Sequence, residues 1–192
     1  MLFNRLSKLN LLVFLSVSAL PISAFAGGDT GLYLGVGMGP SVISTKDQVP
    51  AGGNFDFNES DTGTKVFAGY NFGWIPLLDL AIEGSYVDFG KPSSTLSGGT
   101  NVQYQLTGWD AFGLVGGNLG PIGIFGKVGL IAWNNDTTIG STVQSHSGND
   151  SAYGVGLKFQ IMSLAARLEY EYFDVTGLDD VHLATVSLAY TF

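Results

Sequence analysis

Eight stretches of this chain, residues 30–43, 64–74, 78–89, 101–116, 122–134, 151–161, 164–175 and 182–192, alternate between two kinds of side chain. That period of two limits the fold more than any other feature. A β-strand sends successive side chains to opposite faces, so residues 30–43 set Leu32, Leu34, Val36 and Met38 against Tyr33, Gly35, Gly37 and Gly39. The last stretch sets Ala184, Val186, Leu188, Tyr190 and Phe192 against Thr185, Ser187, Ala189 and Thr191. Within 101–116, Val102, Tyr104 and Leu106 oppose Gln103, Gln105 and Thr107, but the phase blurs at Gly108, Trp109 and Asp110. A bulge or glycine kink is expected there.

Charge obeys the same alternation. Lys65, Asp79, Glu83, Lys127, Lys158, Arg167, Glu169 and Glu171 all stand opposite the large aliphatic and aromatic residues. In a soluble sandwich that face would be the wet outside; in a closed eight-stranded barrel it is an interior just wide enough to be filled by side chains. Burying these charges demands pairing, and the four basic and four acidic residues named permit it.

Two further patterns favour the barrel. Connections are long at 44–63, 91–100 and 135–150, and short at 75–77, 117–121 and 162–163. That alternation matches the surface loops and periplasmic turns of outer-membrane barrels. Aromatics gather at strand ends, as with Phe72 and Trp74, Tyr86 and Phe89, Phe159, Tyr170 through Phe173, and Tyr190 with Phe192. Interfacial girdles have this placement. The expected fold is all-β, an eight-stranded antiparallel up-and-down transmembrane β-barrel.

Residues 1–26 carry Arg5 and Lys8 without an acid, then an apolar run and Ala24-Phe25-Ala26, the marks of a cleaved secretory signal peptide. The run is shorter than the roughly 20 residues a membrane helix needs. The expected organisation is a leader at 1–26 and one outer-membrane barrel domain at 27–192. With Arg5 and Lys8 removed from the 8 basic residues, 6 face 16 acidic ones, a net charge of about −10. That balance speaks against a nucleic-acid partner. No cysteine is present to staple the fold.

The segments WDAFGLVGGNLGPIGIFGKVGLIAWNND (109–136), SAYGVGLKFQ (151–160), LAARLEYEYFDV (164–175) and the closing SLAYTF, with YLGVGMG at 33–39, resemble the transmembrane domain of the OmpA-like outer-membrane proteins. The resemblance implies a Gram-negative outer-membrane location. It also implies a lumenal charge network that closes or gates the barrel, for which Glu83, Lys127, Lys158, Arg167, Glu169 and Glu171 match best, beside Lys65 and Asp79. Tyr190 and Phe192 match the C-terminal barrel signature. Implied partners are outer-membrane lipid and lipopolysaccharide, the barrel assembly machinery through the C-terminal strand, and a host or environmental ligand at the loops. A peptidoglycan-binding domain is missing from the pattern. The expected role is structural and surface-interacting, with a narrow porin-like channel for small solutes as the alternative.

Sharper chemistry finds little support. His146 and Ser147 could serve a lipid hydrolase as base and nucleophile, but no carboxylate lies at a convincing spacing, so no enzyme is expected. The run 56–61 offers oxygen ligands to calcium but lacks EF-hand spacing and reads as a solvated acidic loop. The G-x-G patterns lie within strands rather than at a strand-to-helix turn. No cofactor or metal is expected.

Overall fold

A strand that crosses lipid must satisfy every backbone N–H and C=O without water, which an antiparallel sheet achieves only by closing on itself. The computed structural model describes residues 30–49, 53–73, 78–95, 101–139 and 142–192, and it shows this closure. Its strands are β1 (Gly31–Val49), β2 (Gly53–Phe72), β3 (Leu78–Asp88), the short β4 (Ser93–Thr95), β5 (Asn101–Leu119), β6 (Ile122–Ile139), β7 (Thr142–Ile161), β8 (Leu164–Phe173) and β9 (Asp180–Thr191). Sequential neighbours other than β3 and β4 pair antiparallel, β3 pairs with β5, and β1 pairs with β9 to close the wall. Setting β4 aside as a short strand on the β3 to β5 connection, the barrel has eight strands. The leader read at 1–26 and the turn residues 74–77, including Trp74, lie outside the described residues.

The faces follow the alternation. Leu34, Val66, Ile82, Val115, Ile124 and Leu168 are among the large apolar residues exposed on the outer wall. This belt ends in aromatics on both sides. Toward the short turns lie Tyr70 against Phe72 and Tyr190 against Phe192, each pair at 5.1 Å between ring centroids. Toward the long hairpins lie Tyr86 against Trp109 at 5.1 Å, with Tyr153 and Tyr170 also exposed. Inward glycines make room for rings. A Cβ on Gly156 would run into the Phe125 ring, and one on Gly69 into the Tyr33 ring.

Three sequence expectations are corrected. The stretches 44–63 and 135–150 are not loops, because β1 and β2 remain in register up to Val49 opposite Gly53, and β6 and β7 up to Ile139 opposite Thr142. About 9 to 11 tilted residues cross the apolar band, so these 18- to 20-residue strands rise well beyond it, whereas β8 with 10 residues and β9 with 12 do not. No bulge interrupts β5 at Gly108 to Asp110, since its register with β3 and β6 is continuous there. Phe89 and Phe173 belong to no girdle. Both point inward, fully buried, and meet edge to face at 5.0 Å.

The physical cause is shared. Above the membrane the outer wall faces water, so apolar side chains turn inward while the strand phase stays the same. Ile43, Val87, Phe89, Leu106, Ile131, Trp133, Phe173, Val175, Val181 and Leu183 thereby build an apolar core inside the outer half of the barrel.

Candidate functional site in the barrel lumen

Beneath that apolar core the inward positions of five strands carry charge. β2 contributes Lys65, β3 Glu83, β5 Asp110, β6 Lys127, and β8 Arg167, Glu169 and Glu171, all buried. The three inward charges of β8 follow from period two alone, because Arg167, Glu169 and Glu171 share one face of a continuous strand.

The cluster is arranged as alternating signs. Lys65 Nζ donates to Glu169 Oε2 at 2.9 Å and to Glu171 Oε1 at 3.1 Å. Lys127 Nζ donates to Glu169 Oε2 at 2.6 Å and also to Glu171, and lies 3.7 Å from Glu83 Oε1. Arg167 Nη1 donates to Glu83 Oε2 at 2.7 Å and its Nη2 to Glu169 Oε2 at 3.2 Å. The hydroxyls of Tyr33 and Ser187 complete the set, donating to Glu83 and Glu169 at 2.9 and 3.0 Å. Lys65, Lys127 and Arg167 therefore balance Glu83, Glu169 and Glu171 in full. Aromatic faces close around the cations. The Arg167 guanidinium stands 4.7 Å from the Phe125 ring centroid and 4.9 Å from that of Phe67, and Lys127 Nζ is 4.6 Å from that of Phe112. Such contacts are worth most where the cation is desolvated.

Asp79 and Lys158 pair with each other, apart from this cluster. They line a cavity of about 50 Å³ that Arg167 and Tyr33 also line. Asp110 belongs to the same buried layer as the cluster and accepts from Ser85. Sequence reading missed it because it follows Trp109, where the polarity of the two faces exchanges. Tyr190 and Phe192 stand on the outer wall rather than in the lumen.

The other sequence motifs do not assemble into sites. His146 and Ser147 are consecutive on β7, so their side chains project to opposite faces. Asp61 is engaged by the backbone N–H groups of Thr62 and Lys91, each at 2.7 Å; side chains of 56–58 lie outside the described residues. Among the described residues no group of three or more His, Cys, Asp or Glu side chains is placed to hold a metal.

One acid at the outer rim anchors a loop. Asp150 Oδ2 accepts from the Thr176 backbone N–H at 2.9 Å and from Trp133 Nε1 at 2.6 Å, and Oδ1 accepts from Thr176 Oγ1 at 3.0 Å. The Thr176 amide, with the two side-chain donors, holds this carboxyl below the usual carboxylate range. A lowered folded-state value means that the ionised form favours the docked loop, a contribution present above the ordinary aspartate value of about 3.9 and lost as pH falls below it. Hydrogen exchange should find the Thr176 amide protected at pH 5 and released on further acidification. In D150N that protection is expected to be weak at both pH values; equal protection in the two proteins would refute the anchor.

Comparison with known proteins agrees with this architecture. The family model described as "Outer membrane protein beta-barrel domain" matches residues 12–192. Among solved structures, the chain is similar to Ail, the attachment invasion locus protein of Yersinia pestis, at 16% identity and a TM-score of 0.54, covering 85% of this chain and 100% of that one. It is similar to Neisserial surface protein A at 14% identity and a TM-score of 0.57, covering 86% and 99%. The N-terminal β-barrel domain of Pseudomonas aeruginosa OprF matches at 12% identity and a TM-score of 0.50, covering 86% and 99%. No curated protein sequence matches significantly.

Proposed function

The chain belongs to the outer membrane protein β-barrel domain family and resides in the outer membrane of a Gram-negative bacterium, and from that premise we propose that it is a structural and surface-interaction barrel whose lumen does not conduct. The observation that carries this reading is the stacking of two unlike fillings in one lumen. Lys65, Lys127 and Arg167 are matched by Glu83, Glu169 and Glu171 in the membrane layer, and the apolar core from Ile43 to Leu183 occupies the layer above. A continuous wet path would have to break the first and hydrate the second. The eight charges expected from the sequence act here as internal scaffolding, with Asp79 and Lys158 at the mouth.

Single-channel recording in planar bilayers tests the proposal. The refolded protein is expected to give no stable openings in molar KCl. Reproducible conductance steps would favour the narrow channel instead. We further assign residues 1–26 to export, on the basic start, apolar run and Ala24-Phe25-Ala26 described above, and Tyr190 and Phe192 to recognition by the assembly machinery, on the resemblance.

The outer hairpins are the part available to partners. Ail has been solved in complex with the heparin analogue sucrose octasulfate, a polyanion. Here the described charged side chains beyond the outer girdle are Glu59, Asp61, Asp88, Asp136, Asp150, Asp174, Asp179 and Asp180 against Lys91, so a polyanionic ligand is disfavoured by simple Coulomb repulsion.

A further inference from the structure

The outer half of the barrel wall is incomplete, and the gap has a chemistry. β7 is paired with β6 from Phe159 opposite Ile122 to Thr142 opposite Ile139. Its pairing with β8 stops at Ala152 opposite Phe173. The last links on that side are the Asp174 N–H donating to the Ser151 carbonyl at 3.0 Å and the Thr176 bonds to Asp150. Among the described residues, no strand lies on that side of residues 142–149 of β7.

Period two identifies the backbone groups left facing the gap. In an antiparallel sheet a residue's N–H and C=O point the same way, and the direction alternates along the strand. Because the Ser151 carbonyl points to the β8 side, the N–H and C=O groups of Asn149, Ser147, Ser145 and Val143 do so too. Proteins blunt such edges with lysine, proline or a bulge. This one, Val143-Gln144-Ser145-His146-Ser147-Gly148-Asn149, has none of the three, and apart from exposed Val143 its residues are polar or glycine.

The surroundings state which partner fits. Exposed Asp136 lies on β6 opposite Ser145, accepting its hydroxyl, and Asp174, Asp179 and Asp180 are exposed at the foot of the gap. Lys91 is the one Lys or Arg beyond the outer girdle whose side chain is described.

We propose that the free outer edge of β7, residues 143–149, takes up an extended, lysine- or arginine-bearing segment of a partner protein as an added strand. Main-chain hydrogen bonds supply the docking, as in other cases of strand addition, and the acidic rim supplies selection and steering. This deepens the surface-interaction reading above and rests on it.

The experiment uses the full chain refolded into nanodiscs, with its heat-dependent gel shift recorded for every variant. The probe is a fluorescein-labelled octapeptide of alternating Lys and Thr. A Glu and Thr octapeptide tests charge, and a Lys octapeptide interrupted by two prolines tests pairing. Saturable binding of the first alone is expected, weakening tenfold or more in S147P, which removes an edge N–H not used by β6, and in S145K, which adds the missing lysine. A fivefold or greater weakening in D136N/D174N is expected as well. Equal binding of the proline-interrupted peptide, or unchanged binding by S147P and S145K, would reduce the effect to charge alone and overturn the proposal. Concentration-dependent self-association that S147P abolishes, with no peptide binding, would overturn it in favour of a second copy. Absence of any peptide binding overturns it outright, and a retained gel shift keeps that failure separate from failure of the barrel reading.

Discussion

Lys127→Met will lower the stability of the folded barrel by about 3 to 5 kcal/mol, the usual consequence of removing one member of a buried ion cluster. Lys127 Nζ donates to Glu169 at 2.6 Å and to Glu171, and lies 3.7 Å from Glu83. Methionine keeps most of the stem and can hold the contact with the Phe112 ring through its sulfur, so the loss reports charge rather than volume. After the change, Glu83, Glu169 and Glu171 face only Lys65 and Arg167, which leaves one carboxylate uncompensated in a dry layer. Urea-driven unfolding from lipid vesicles, followed by tryptophan fluorescence, measures the effect. Restoring neutrality with Lys127→Met plus Glu171→Gln should recover at least half of it. A loss below about 1 kcal/mol would match an exposed pair and would mean that water screens the cluster.

The barrel and most of that cluster were legible in the sequence, and the outer half was not, for one physical reason. Inside the membrane band, lipid lies outside and charge inside, so Leu32, Leu34 and Val36 read as one face and Arg167, Glu169 and Glu171 as the other. Past the girdle the outside becomes water. Leu106, Ile131 and Leu183 then point inward while Asn134 and Asp136 point outward, and a reader expecting apolar side chains outside sees only broken alternation. Extended strands at 44–63 and 135–150 read as loops on that account. Gly108, Trp109 and Asp110 sit where the exchange happens on β5, so an unbroken register looked like a bulge. The same exchange hid Asp110 and sent Phe89 and Phe173 to the wrong face. The pairing partners within the cluster depend on which strands become neighbours. Alternation places Lys65 and Glu169 on inward faces, but only the closure of β1 onto β9 brings them to 2.9 Å.

Phe173→Ala should cost about 3 to 5 kcal/mol, as truncating a fully enclosed phenylalanine does elsewhere, although its position at the strand end would ordinarily suggest tolerance. Phe173 is 0% exposed and meets the Phe89 ring edge to face. Phe89 is itself fixed, because the Ser41 hydroxyl donates to its carbonyl. Alanine would open a cavity among Val175, Val181 and Leu183, members of the same core, and the paired strands β7 and β9 on either side of Phe173 leave little room to collapse into it. Hydrogen exchange should then accelerate at the β8 to β9 connection and in the outer turns of β6 and β7, while amides beside Glu169 and Lys127 stay protected. The heat-dependent gel shift should persist, and planar bilayers should remain silent, because the ion cluster still fills the lumen below. A loss under about 1 kcal/mol would show that the outer layer is not packed as a core. Open-channel events in this variant alone would show that the apolar layer, rather than the charges, is what keeps the lumen shut.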